Sequence, residues 1–75
     1  MQNRPLYEIA KEIRKTWPKV NGAAKPYLDA MGDLNSIDDA YYMDSARSVV
    51  LYFLANAGTW RGDDAKRIKA ELKAL

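Results

Sequence analysis

The side chains that could do chemistry in this sequence are its carboxylates, because the chain contains no cysteine and no histidine. The usual zinc ligands, and the usual base that activates a serine nucleophile, are therefore missing. Aspartates occur in two adjacent pairs, Asp38-Asp39 and Asp63-Asp64, but neighbouring residues on a helix do not face each other. The composition therefore predicts a protein that is not an enzyme and that uses no cofactor and no metal ion.

A calcium loop is the metal motif that the aspartates come nearest to matching. Asp33, Asn35 and Asp44 have the spacing of positions one, three and twelve of such a loop. However, Ile37 stands at the fifth position, which needs an oxygen ligand, and Asp38 at the sixth, which needs glycine for a sharp turn. The mismatch argues against a calcium site.

The segment between residues 36 and 44 combines acidic with aromatic side chains and has no sustained helical period. Tyrosine and methionine are enriched at interfaces, and loops present side chains to partners. We therefore expect a loop that binds an unidentified partner protein, with aspartates that attract a basic surface. The candidate contact residues are Asp38, Asp39, Tyr41, Tyr42 and Met43. The tyrosines could instead cover a small core, and the sequence leaves this alternative open.

Weak nucleic-acid binding is the alternative function. The first predicted helix carries Tyr7, Lys11, Arg14 and Lys15, which could grip phosphates and stack a base. Acidic residues interrupt this face, and others such as Glu71 interrupt the bases of the last predicted helix. The net charge is only +2, and five aspartates in residues 21–45 would repel phosphates. Protein binding is therefore the leading hypothesis.

Four stretches with apolar residues three and four apart predict the helices that position these side chains. They span about residues 4–17, 23–35, 45–57 and 60–74, within one domain over residues 1–75. We expect a compact all-α, four-helix domain whose third helix is central and buried. The residues expected at its centre are Val49, Val50, Phe53 and Leu54. A second apolar strip, Leu51, Tyr52 and Ala55, would form a homodimer surface if the first and last helices leave it uncovered.

Local signals predict where these helices begin and end. Pro18 ends the first helix, because proline disfavours helical geometry at the preceding residue. Asp44 or Ser45 caps the third helix, and Gly58 ends it in a left-handed conformation. Residues four apart in the last helix predict two ion pairs, which are Asp63 with Arg67 and Arg67 with Glu71.

The hydropathy pattern predicts a cytoplasmic protein without a membrane segment. The longest apolar run, residues 49–55, is far shorter than the roughly 20 residues that span a bilayer. No hydrophobic stretch follows the first five residues, which is not the pattern of a signal peptide.

Four segments of the chain resemble a group of small proteins from actinobacteria and their phages. They are RPLYEIA at 4–10, SIDD at 36–39, DSARSVVLYFLANA at 44–57 and TWRG at 59–62. The resemblance implies a phage or actinobacterial protein that acts inside a bacterial cell, which is the host cell for a phage protein. The group has no assigned activity, so the resemblance assigns no role to any residue.

Overall fold

Apolar residues three and four apart form four helices in the computed structural model, which describes residues 4–41 and 44–75. The elements are α1 (Leu6–Thr16), α2 (Lys25–Met31), β1 (Ala40–Tyr41), β2 (Asp44–Ser45), α3 (Ala46–Ala55) and α4 (Asp63–Lys73). The predicted all-α, four-helix fold is confirmed. Each helix is shorter than its predicted span.

Helix α1 buries the predicted stripe, Leu6, Ile9, Ala10 and Ile13. It ends at Thr16, just before the Trp17-Pro18 step, as the proline predicts. No side chain caps its beginning. Instead, the backbone N–H groups of its first two residues donate to the carbonyl oxygens of residues 35 and 34, at 2.8 and 2.9 Å. The segment after α2 thus satisfies the free N–H groups of α1.

Helix α2 ends at Met31, earlier than predicted, and residues 34 and 35 beyond it lie against the start of α1. Asn21 starts the preceding turn, where its Oδ1 accepts from the backbone N–H groups of Ala23 and Ala24. The same side chain donates from Nδ2 to the carbonyl oxygen of Asn56, at 3.0 Å. One asparagine therefore ties the start of α2 to the end of α3.

A small antiparallel hairpin follows, in a segment predicted as an irregular loop. Ala40 pairs with Ser45, and Tyr41 pairs with Asp44. The N–H group of Ala46 donates to the carbonyl oxygen of Asp39 at 2.8 Å. This hydrogen bond connects the hairpin to the first residue of α3.

Helix α3 is capped by Ser45, one of the two residues predicted as its cap, whose Oγ accepts from the backbone N–H of Ser48 at 3.1 Å. Val49, Val50 and Phe53 lie in the core as predicted, and Leu54 packs against them. The expectation that the third helix is buried all round is wrong, because the other helices cover one face of it only. The buried surface is one face of the helix, which rests mainly on α2. The second apolar strip of α3 remains exposed.

Three aromatic rings fill the core next to α3. Trp17 and Trp60 stack with centroids 5.3 Å apart and an angle of 6° between their planes. Each indole meets the ring of Phe53 edge-on, at 6.3 and 6.4 Å. Both tryptophans are buried, so the cluster fills the core at two helix boundaries.

The turn between α3 and α4 corrects the prediction for Gly58. Among the glycines, all of which lie in the described residues, Gly62 has a positive φ, 112°, and Gly58 does not. Helix α3 ends at Ala55 with Asn56 as its C-cap, and Asn56 Nδ2 donates to the carbonyl oxygen of Tyr52 at 2.8 Å. Asn56, and not the predicted Gly58, therefore terminates α3 through a hydrogen bond from its side chain to the last turn.

Candidate interaction surfaces

The predicted acidic loop uses one of its aspartates to hold its own backbone. Oδ2 of Asp39 accepts from the backbone N–H groups of Asn35 and Ser36, both at 3.0 Å. These bonds hold the pKa of Asp39 below its ordinary value, because they favour the charged carboxylate. Asp38 is exposed and so is open to a partner. Of the two predicted acidic contacts, one thus has a structural role in the turn.

The aromatic part of the predicted loop lies outside the described residues. This holds for the side chain of Tyr41 and for Tyr42 and Met43. Their contact with a partner protein stays a prediction.

The predicted basic face of α1 is lined with carboxylates. Tyr7, Lys11 and Arg14 share a groove with Asp29 and Asp33 of the α2 region. Nη2 of Arg14 binds Oδ1 of Asp29 at 2.6 Å, which neutralises that guanidinium. A phosphate in this groove would meet two aspartates, so the geometry does not favour nucleic-acid binding there.

Lys15 belongs to a different groove from Tyr7 and Arg14. It lies beside Lys11, but Glu8 and Glu12 line the same depression. The structure therefore brings together three of the four predicted nucleic-acid-binding residues and places acidic side chains on both sides of them.

The outer face of α3 is apolar, and the exposed Arg47 lies at its edge, four residues before Leu51. Leu51 and Tyr52 are 59% and 52% exposed, and Ala55 is exposed beside them. Ser48 completes the face, because residues at i, i+3, i+4 and i+7 lie together on a helix. No charged residue occurs between Ser48 and Ala57. The first and last helices leave this strip uncovered, which was the condition for the predicted dimer surface.

An aromatic groove joins this face to α2. The rings of Tyr27 and Tyr52 lie 5.4 Å apart with planes at 32°. Pro26, Ala30 and Val49 line the groove with them, and Asp44 is also part of its lining. Sequence reasoning named Tyr52 but missed Tyr27. A signal was present, since Tyr27 follows the proline of α2 and stands at the edge of its apolar stripe.

Five charged residues form an ion-pair network that links the N-terminal segment, α1 and α4. The guanidinium of Arg4 binds Glu71 at 2.6 Å and Glu12 at 2.8 Å, and that of Arg67 binds Glu12 at 2.7 Å and Asp64 at 3.1 Å. The hydrogen bonds from Arg67, and then those from Arg4, hold the pKa of Glu12 below its ordinary value. The predicted pairs of Arg67 with Asp63 and with Glu71 are wrong, because Arg67 binds Asp64 of its own helix and Glu12 of α1, and Glu71 binds Arg4.

Comparisons with known proteins return no match to a protein family, a curated protein or a solved structure. Across residues 4–41 and 44–75, no three acidic side chains gather closely enough to hold a metal ion. In the same residues, every helix is too short or too polar to span a bilayer.

Proposed function

We propose that this protein is a non-enzymatic interaction module, and that the outer face of α3 binds a second copy of the chain. The observation that carries the proposal is the exposure of Leu51, Tyr52 and Ala55 next to one another on one helix face, with Arg47 and Asp44 only at its borders. Exposed apolar residues scattered singly are ordinary, but a contiguous strip on one helix is typical of a binding surface.

The absence of charge favours a second copy as the partner. In a two-fold symmetric interface each patch meets itself, so like charges on the patch would face one another. The strip from Ser48 to Ala55 contains no such charge. Two copies of α3 can therefore pack side by side, and an antiparallel arrangement also opposes their helix dipoles favourably.

The available area points to a reversible dimer. A stable interface of standard size buries about 800 Å² per partner, roughly one sixth of the 5035 Å² surface of this protein. The outer face of a ten-residue helix is only about 15 Å long. The groove of Tyr27 and Tyr52 widens this face across α2. The area that the face and the groove together could bury still lies near the lower limit for a specific interface. We expect a dissociation constant of tens of micromolar, on the order of −6 kcal/mol.

The chemistry of the chain supports a binding role over an enzymatic one. Histidine and cysteine, which supply most acid–base and nucleophilic groups, do not occur. Several of the carboxylates are engaged by arginines or by backbone N–H groups. A loop contact through Asp38, Tyr41, Tyr42 and Met43 remains a second candidate surface for a different protein.

Sedimentation velocity from about 5 to 500 µM protein tests the proposal. The expected result is a rise in mass with concentration, from the 8.5 kDa monomer towards twice that value. Leu51→Glu and Tyr52→Glu should remain monomeric, because each would bury an unpaired carboxylate in the interface. A monomer at every concentration would refute self-association.

Tyr7→Glu is the matched control. Tyr7 is 47% exposed, but it lies on α1, away from the outer face of α3. This variant carries the same added charge and should dimerise like the wild type. Equal loss of the dimer in Tyr7→Glu and Leu51→Glu would remove α3 as the interface.

A further inference from the structure

The charged residues of α4 lie on two flanks of the helix, and the ion-pair network involves one of them. Asp64, Arg67 and Glu71 are three and four residues apart, so they share the flank that faces Arg4 and Glu12. Both of the carboxylates on that flank bind a guanidinium. Asp63 stands in the first turn between the flanks.

The other flank of α4 carries a row of lysines. Lys66, Lys69 and Lys73 are again three and four apart, and Arg61 precedes the helix on the same side, near enough for its charge to act on Lys69. Within the described part of the chain, none of the four forms a salt bridge. We define this set of four residues as the α4 basic row.

Lys69 is held in place at the middle of the row. Its Nζ donates to the carbonyl oxygen of Trp60 at 2.7 Å and lies 5.9 Å from the centroid of that indole ring. Burial lowers its pKa, and the charges of Lys73 and Arg61 lower it further. An ammonium group has three donors, so two remain for an anion. An anion bound among these positive charges would reduce their mutual repulsion and so stabilise the arrangement.

We propose that the α4 basic row binds the phosphate backbone of duplex nucleic acid without reading its sequence. Three lysines along one helix flank span about 10 Å, at 1.5 Å per residue. That length covers about three successive phosphates of one strand, at 3.4 Å of axial rise each. The phosphates wind around the duplex axis, and the flexible lysine side chains can follow one strand over this short stretch.

The aromatic residue beside the row favours a duplex over a single strand. Single-stranded nucleic acids bind by stacking bases on exposed aromatic rings. Trp60 is 3% exposed: its indole stacks on Trp17, and Phe53 packs against it edge-on within the core. The row therefore offers contacts to phosphates alone. This site is separate from the outer face of α3 and does not depend on dimer formation.

Fluorescence anisotropy with a labelled 20-base-pair DNA duplex tests the proposal. The double variant Lys66→Glu/Lys73→Glu changes two exposed residues and should weaken binding at least tenfold. With three phosphate contacts, raising the salt from 50 to 200 mM should weaken wild-type binding by roughly 40-fold. Circular dichroism of each variant verifies that its helices are intact.

Lys11→Glu/Lys15→Glu is the control with the same change in net charge. Both lysines are exposed on α1, beside Glu8 and Glu12. The affinity of this variant for the duplex should fall less than threefold. Equal weakening by the two double variants would show an effect of net charge and overturn the proposal. No binding of duplex at 50 mM salt would do the same. Tighter binding to vesicles containing phosphatidylserine, or to polyglutamate, would assign the row to another class of partner.

Discussion

Replacing Phe53 by leucine tests whether the three aromatic rings hold the helices together. Phe53 is fully buried and meets two indole rings edge-on. Each such pair contributes about 0.5–1.5 kcal/mol beyond the area that it buries. The substitution removes both pairs but keeps an apolar side chain, so we expect a loss of about 1–3 kcal/mol in the free energy of unfolding. Stability for 75 residues is roughly 4–11 kcal/mol, so the variant should still fold.

Urea unfolding followed by circular dichroism measures this loss without using tryptophan fluorescence, which the substitution itself would alter. Leu51→Ala is the matched control, because Leu51 lies two residues away on the exposed face of the same helix. It should change stability by no more than about 0.5 kcal/mol. Protein at about 5 µM keeps self-association from contributing. If Phe53→Leu costs no more than Leu51→Ala, the aromatic cluster is not the centre of the core.

Two further substitutions test the start of α4 and the ion-pair network. Gly62→Ala should destabilise the protein by about 1–3 kcal/mol in urea unfolding, because Gly62 has a φ of 112° that alanine rarely adopts. Gly58→Ala has no such strain and should be neutral or slightly stabilising; equal effects of the two would contradict the assigned conformation. Glu12 has a pKa below its ordinary value of 4.5 in the folded protein, so its stabilising effect is present above that pH and is lost as the pH falls through the lowered pKa. The melting temperature of Glu12→Gln should therefore lie below that of the wild type at pH 7, and the difference should shrink as acid protonates Glu12 below its lowered pKa; a difference that stays constant would refute the network.

Several features of the fold could be read from local sequence because a few neighbouring residues determine them. The end of α1 before Pro18 and the cap of α3 at Ser45 are of this kind. The apolar stripes also identified the core, since a residue that recurs every three or four positions must face the same neighbour. These predictions needed no knowledge of what lies across the molecule.

Other features depended on residues distant in the chain. Residues 34 and 35, beyond the end of α2, supply carbonyl groups to the start of α1, a contact that spacing within α2 cannot indicate. Arg67 binds Glu12 of α1 in place of the neighbour expected on its own helix. Spacing within one helix cannot choose between such partners, because surface pairs of either kind differ by only tenths of a kcal/mol.

The candidate surfaces also have some features that the sequence determines and others that depend on tertiary packing. Sequence alone determined that α3 has two apolar strips, that histidine and cysteine are missing, and that bases and acids alternate along α4. The tertiary structure decided which strip of α3 is buried, because α2 packs on Val49 and Phe53 and leaves Leu51 to solvent. It also decided which flank of α4 is ion-paired, because Arg4 and Glu12 lie on the side of Asp64 and Glu71. Exposure and ion pairing across the molecule are properties of packing, and packing is set by contacts between residues that the linear sequence keeps apart.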